Sequence, residues 1–405
     1  MDIVLTRTIA LLGVAIVVAI VARRLRLPYT VGLVAAGIGL AAAKIETGAE
    51  LTHDFIFDVI LPPLLFEAAL SIHWRELRRD MAPILVLSTL GVVVSAGVVA
   101  AGMMQFLAWP AASALAFGAL IAATDPVAVI AMFKDAGVKG RPRLLVESES
   151  LFNDGVAAVL FTLVLAFAQA SDDATPLAAA RALAVMAGGG VLVGLACAAA
   201  ASALAGRTFD HLVETALTVV VAYGSFLLAE HFHFSGVLAC VAAGLLMGNP
   251  GVLKNEEKKL GLSAHGRAFI VAFWDFAAFI ANSLVFLLIG LAVATIPFAT
   301  VGWRGLAIAV GLVLAGRFLT VYPLCALFHR SAWAIPMRTQ HILWWGGLRG
   351  ALALALALAL PPSLPLRDEI LVAAFGVVVF SVLAQGLTMP LLLRKLGFLP
   401  GTTGT

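Results

Sequence analysis

The sequence predicts an all-α polytopic membrane protein of about thirteen transmembrane helices, on three observations. Of 405 residues, 62% are hydrophobic and only 12% charged, where soluble domains carry about 25% charged residues; the mean hydropathy is +1.05. The apolar residues gather into thirteen runs, and Lys and Arg fall unequally on alternate connections between them. The dyad alternation of a transmembrane β-barrel is absent. A net charge of +3, spread over short loops, gives no nucleic-acid face. Cys197, Cys240 and Cys325 fall inside apolar runs and are expected as small core residues, with no disulfide or metal framework.

The runs are segments 1 to 13: residues 3–22, 28–43, 54–72, 82–108, 111–134, 144–170, 177–205, 211–232, 234–248, 268–294, 302–328, 338–360 and 368–393. Segment 1 is not a cleaved signal, because its basic cluster, Arg23, Arg24 and Arg26, follows the apolar run instead of preceding it. Connections after odd-numbered segments, with the C-terminus, hold nineteen basic residues. Among them are Arg75, Arg78, Arg79, Lys134, Lys139, Arg141, Arg143, Lys254, Lys258, Lys259, Arg394 and Lys395. The other side holds five: Arg7, Lys44, Arg181, Arg304 and Arg367. The positive-inside rule then puts the N-terminus outside and the C-terminus in the cytoplasm. A missed crossing would scramble that alternation.

Thirteen crossings divide into two six-helix units, segments 1–6 and 8–13, joined by segment 7. The first unit begins outside and the second inside, which makes them inverted repeats. Interruptions should then fall at matching positions, and they do. Segment 5 carries Thr124-Asp125-Pro126 at its middle, and segment 12, seven later, carries Gly346-Gly347-Leu348-Arg349-Gly350. Pro126 removes an amide hydrogen and clashes with the preceding turn, while Thr124 and Asp125 are good caps for a restarted half-helix. Three glycines in five residues weaken segment 12. Two discontinuous helices at the midplane expose half-helix ends and free carbonyls that can hold a cation.

Segment 6 opens with Glu147-Ser148-Glu149-Ser150-Leu151-Phe152-Asn153-Asp154-Gly155. Asp154 lies ten residues in, about 15 Å deep in a ~30 Å slab. Inserting a carboxylate there costs at least ~2.5–3.5 kcal/mol, so its default reading is functional. Ser150 and Asp154, four apart, share a face, with Glu147 nearer the cytoplasm on the same face, where a solvated helix end is the simpler reading. Glu149 is about 140° round from Asp154, so the two acids should have different partners. Arg349 needs a buried anion, and Glu149 is expected to supply it; a pair with Asp154 is the alternative. Glu67 is a further deep acid with no basic neighbour in sequence. Asp275 and Arg317, also deep, are expected to form a structural pair or to be solvated at helix ends, not to act in transport. Asp58, Glu230, His231 and His233 lie near the outer interface.

Together, Thr124-Asp125-Pro126, Glu149 to Gly155, Leu64 to Leu70 with Glu67, Phe286 to Gly290, and Gly346 to Gly350 resemble the NhaP/NHE-type monovalent cation:proton antiporters over essentially the whole chain. The resemblance implies a single antiporter unit over 1–395. Its dimerisation part would be segments 1–3 and 8–10 (about 3–72 and 211–294), and its ion-transport core segments 4–6 and 11–13 (about 82–170 and 302–393). The helix at 177–205 would link them, and 396–405 would form a short cytoplasmic tail without the long regulatory extension of eukaryotic relatives. It also implies a homodimer in a plasma membrane, the bacterial inner membrane, serving pH and sodium homeostasis. Carried over by motif, Asp154 would bind cation and proton alternately. Ser150, Thr124 and Glu67 would complete the site, Asn153 would orient it, and Glu149–Arg349 would be a structural ion pair.

The residue chemistry fits that implication. A hard cation wants oxygen ligands, and a desolvated Asp154 carries a charge whose cost either a proton or a cation removes. Sodium is the expected cation, with lithium or potassium as alternatives. No cofactor and no enzymatic step is suggested. A cation channel could use the same acids, but it leaves the paired breaks without a role; a potassium/proton exchanger is the other alternative. An intramembrane enzyme would want histidines in the slab, and these sit at segment ends. A carrier of organic anions would want an unpaired cation. Electrogenic relatives resemble one another in a second Asp before the essential one and a Lys on the tenth helix. Here Asn153 holds the first position and segment 10 has no Lys, so one-for-one, electroneutral exchange is expected.

Overall fold

The computed structural model describes residues 2–25, 27–44, 51–135, 137–169, 176–207, 210–249 and 264–399. Arg26, the loop basic residues Lys254, Lys258 and Lys259, and tail residues 400–405 lie outside the described residues. Every regular element described is helical, the arrangement that satisfies backbone polar groups within each segment in lipid. Among the described residues, seven helices are long and apolar enough to cross a membrane: segments 4, 6, 7, 8, 10, 11 and 13. Segments 1, 2 and 9, and the first half of segment 5, contain shorter apolar helices. Segments 3 and 12 are assembled from shorter pieces.

Those pieces have local causes. Segment 5 forms Ala111–Ala122 and Val127–Asp135, divided at Thr124-Asp125-Pro126. Segment 12 forms Met337–Trp345 and Ala351–Leu358, divided at the glycine cluster. Segment 3 opens with a π-helical turn, Phe55–Ile60, before Leu61–Ser71. Segment 13 runs from Arg367 to Lys395 through a π-turn at Ser381–Gln385. A four-residue helix, Trp74–Leu77, lies between segments 3 and 4. Segment 6 is one helix, Arg141–Gln169. Asp210 and Ser235 cap segments 8 and 9 by accepting from the amides of Leu212 and Leu238.

Packing sorts the helices into two groups. Segment 10 lies along segments 1, 2, 3 and 8, and segment 9 along 3, 7 and 8. In the other group segment 4 packs on 5 and 11, segment 5 on 6, and segments 11 and 12 on 13. Segments 2 and 10 touch backbone to backbone. A Cβ at Gly37 would lie 2.2 Å from the Leu287 carbonyl oxygen, and one at Gly290 would lie 2.2 Å from that of Val34. Small residues allow this approach in lipid, where van der Waals packing drives association. Cys240 and Cys325 are buried, Cys197 is half-buried, and all three are free thiols.

Candidate cation site

The two interruptions cross at the centre of the second group. The Asp125 amide donates to the Leu348 carbonyl at 2.7 Å, making an isolated antiparallel bridge. Asp125 Oδ1 accepts from the Val127 amide at 2.9 Å and so caps the restarted half of segment 5. Arg349 Nη1 donates to the carbonyls of Ala122 and Ala123, at 2.7 and 2.8 Å, closing the other half-helix's carbonyl end. Ser381, in the π-turn of segment 13, accepts from the Arg349 amide and donates to its carbonyl. The approach is close enough to require glycine. A Cβ at Gly350 would fall 1.9 Å from Asp125 Oδ2.

Segment 6 passes beside this crossing. The Ser150 hydroxyl donates to the Thr124 carbonyl, and Thr124 Oγ1 donates to Ser150 Oγ at 3.2 Å. Thr124, Ser150 and Asn153 are buried and Asp154 is half-buried. Oδ1 of Asp154 and Oδ1 of Asn153 are both enclosed without a hydrogen-bond partner. An unpaired acceptor in that position carries a desolvation cost that an incoming cation or proton would relieve.

A cavity of about 1690 Å³ runs between the two helix groups. Its wall includes Thr124, Asp125, Ser150, Asp154 and Gly350 from one group, and Tyr29, Glu67, Asp275 and Asn282 from the other. Lys134, Glu147 and Arg394 also line it. The structure thus brings Asp154, Ser150, Thr124 and Glu67 onto one cavity, which offers carboxylate, hydroxyl and carbonyl oxygens suited to a hard monovalent cation.

The expected Glu149–Arg349 pair does not form. Glu149 instead binds Arg317 of segment 11 through two hydrogen bonds, 2.7 Å from Nη1 and 2.8 Å from Nη2, with both side chains buried. Arg317 Nη2 also donates to the Leu343 carbonyl at 3.0 Å. Arg349 is supplied by the carbonyls that the helix break frees, and its guanidinium has no carboxylate among the described ion pairs. Sequence reasoning expected a structural role for Arg317 but missed it as the partner of Glu149; the signal was a second deep guanidinium competing for the same carboxylate. Glu147 is not a solvated helix end. It is buried, 3.4 Å from Arg143 and 3.4 Å from the Ser71 hydroxyl, which donates to it. Glu67 and Asp275 share Lys134, at 3.4 and 3.2 Å. Glu230 accepts from the Gly236 amide at 2.7 Å.

The model of the transmembrane sodium/hydrogen exchanger family matches residues 11–395. The chain belongs to that family. Members similar to it include the Na(+)/H(+) antiporter ApNhaP of Aphanothece halophytica, 38% identical over 96% of this chain and 73% of that protein. The Na(+)/H(+) antiporter NhaP of Pseudomonas aeruginosa is 34% identical over 92% of each chain. The solved structure of the sodium proton antiporter MjNhaP1 from Methanocaldococcus jannaschii at pH 8 superposes with a TM-score of 0.75. It covers 97% of this chain at 22% identity, a likeness of fold. This sodium/hydrogen exchanger family member is accordingly an integral, polytopic membrane protein, and the relatives named are transporters.

Proposed function

We propose that this protein is a secondary antiporter that exchanges a monovalent cation, sodium first, for a proton. The observation that carries this reading is the Asp154 carboxylate, whose enclosed Oδ1 has no hydrogen-bond partner, lining one cavity with Thr124 and Ser150 between two separately packed helix groups. Asp154 takes a proton or a cation, one excluding the other. Ser150, the Thr124 carbonyl and Glu67 complete the cation's shell, Asn153 orients the site, and Asp125 caps the restarted half of segment 5. Exchange follows if only the loaded carrier crosses, by movement of segments 4–6 and 11–13 against segments 1–3 and 8–10. The latter would form the contact of a homodimer, with segment 7 as the link, the C-terminus cytoplasmic, and pH and sodium homeostasis as the cellular role.

The proposed stoichiometry is one for one. Asp154 alone alternates between proton and cation, since Asn153 cannot titrate, so the loaded carrier has the same charge either way. The test is exchange in proteoliposomes followed by a pH dye, adding Na⁺, Li⁺ and K⁺ in turn. The membrane potential is held at zero or set inside-negative with a K⁺ gradient and valinomycin. Cation-dependent proton movement is expected, with an exchange ratio that ignores potential. Acid should raise the KM for the cation and leave the maximal rate alone. Cation flux without counter-movement of protons would favour a channel, and a ratio that follows the potential would bring Glu67 into the proton count.

A further inference from the structure

Lys134 lies in the last turn of the second half-helix of segment 5, on the group that carries Asp154. Its ammonium crosses the cavity to the opposite group, lying 3.2 Å from Asp275 Oδ1 on segment 10 and 3.4 Å from Glu67 Oε1 on segment 3. One cation thus spans two anions at nearly equal distance. The lysine and Asp275 side chains are 45% and 51% exposed, whereas that of Glu67 is 19% exposed. Exposed ion pairs are weak, about 0–1 kcal/mol, which describes the Lys134–Asp275 contact; the longer contact, at 3.4 Å, is to the more enclosed Glu67. An ammonium that leaves Glu67 still has Asp275 to receive it.

We infer that Lys134 is a tethered cation that competes with the transported cation for Glu67 and so sets the apparent affinity at the mouth of the cavity. This rests on the reading of Glu67 as a cation ligand. While Lys134 lies on Glu67, that carboxylate is neutralised and partly occupied. A cation arriving at Asp154 gains Glu67 only as the lysine swings to Asp275. The two partners of Lys134 therefore act in opposite senses. Losing the ammonium frees Glu67, whereas losing Asp275 leaves Glu67 as the ammonium's remaining ion-pair partner among the described residues.

The experiment measures the KM for Na⁺ in everted membrane vesicles, and the Na⁺ concentration that half-maximally raises the Tm of the purified protein. The second reading needs no transport. Lys134→Gln should lower both about two- to fivefold and Asp275→Asn should raise both by a similar factor, the range that exposed-pair energies convert to. Lys134→Arg should restore the wild-type values. In a Glu67→Gln background the two substitutions should lose their effect on Na⁺ affinity. Unchanged affinity in Lys134→Gln, or shifts of the same sign in the two variants, would overturn the inference. So would shifts that persist undiminished without Glu67, which would mark a general field effect instead of competition. Wild-type vesicles that move no protons on Na⁺ addition would refute the antiporter reading itself, a result distinct from any of these.

Discussion

Glu149 and Glu67 both sit on membrane segments and both meet a basic side chain, but the two pairs differ in every respect that sets their strength. Glu149 receives two hydrogen bonds from Arg317, at 2.7 and 2.8 Å, with both side chains buried and both residues in one helix group. Glu67 receives one contact of 3.4 Å from a half-exposed lysine that belongs to the other group. A planar guanidinium suits a fixed bidentate grip; an ammonium on a flexible stem suits a contact that is made and lost. The first pair fastens segment 6 to segment 11 inside one body. The second lies across the boundary along which the two bodies would have to move. Asp154 stands apart from both: its Oδ1 is enclosed with no hydrogen-bond partner.

That three-way contrast can be broken most severely at Asp154. Asp154→Asn should abolish exchange in proteoliposomes while a folded protein elutes normally on size exclusion. Its Tm should hold or rise, because a costly unpaired charge has gone. Wild-type exchange in this variant would remove Asp154 from the site.

Next in size is the buried pair. Arg317→Gln or Glu149→Gln alone should destabilise by about 3–5 kcal/mol, since each leaves an uncompensated buried charge. The double variant should lose less than the sum, read as a drop in Tm through a double-mutant cycle. Glu149→Gln combined with Arg349→Gln should be close to additive. Strong coupling in that second cycle would return Arg349 to the role the sequence suggested.

A smaller effect is expected where the broken helices cross. Gly350→Ala places a methyl on the Asp125 carboxylate, which must then give up its cap on Val127. A cost of about 1–3 kcal/mol is expected, as for overpacking elsewhere, with slower exchange. An unchanged Tm would show that Asp125 moves aside freely. The smallest effect belongs to the exposed contact. Lys134→Gln and Asp275→Asn should couple by no more than about 1 kcal/mol in a stability cycle. A coupling as large as that of Glu149 and Arg317 would erase the distinction between the two pairs.

How far these features could be read from sequence depended on whether their cause was local. The break in segment 5 was legible because Pro126 acts on its own backbone, and that in segment 12 because three glycines weaken a single stretch of helix. Asp154 was legible because an acid amid apolar residues is costly wherever it ends up. The partner of Glu149 was not. A guanidinium has five donors and does not require a carboxylate, and a broken helix supplies carbonyls at the place where Arg349 sits. Arg317 and Glu149 are 168 residues apart, and no periodicity on either helix registers the other. Lys134 counted in the sequence only as a basic residue at a segment end. Its reach to Glu67 depends on how segments 3, 5 and 10 are arranged in space. The cavity itself had no sequence signal, because it is the gap between two packed groups.

The Gly37–Gly290 contact bears on which surface can move. Most helix interfaces keep other fits in reserve, because side chains can change rotamer and let one helix settle at a new offset. A joint of two bare backbones has nothing to re-sort: any slide drives carbonyl oxygen into α-carbon. Segments 2 and 10 should therefore stay fixed to one another, and under the proposed exchange cycle the movement would fall on the seam that Lys134 crosses.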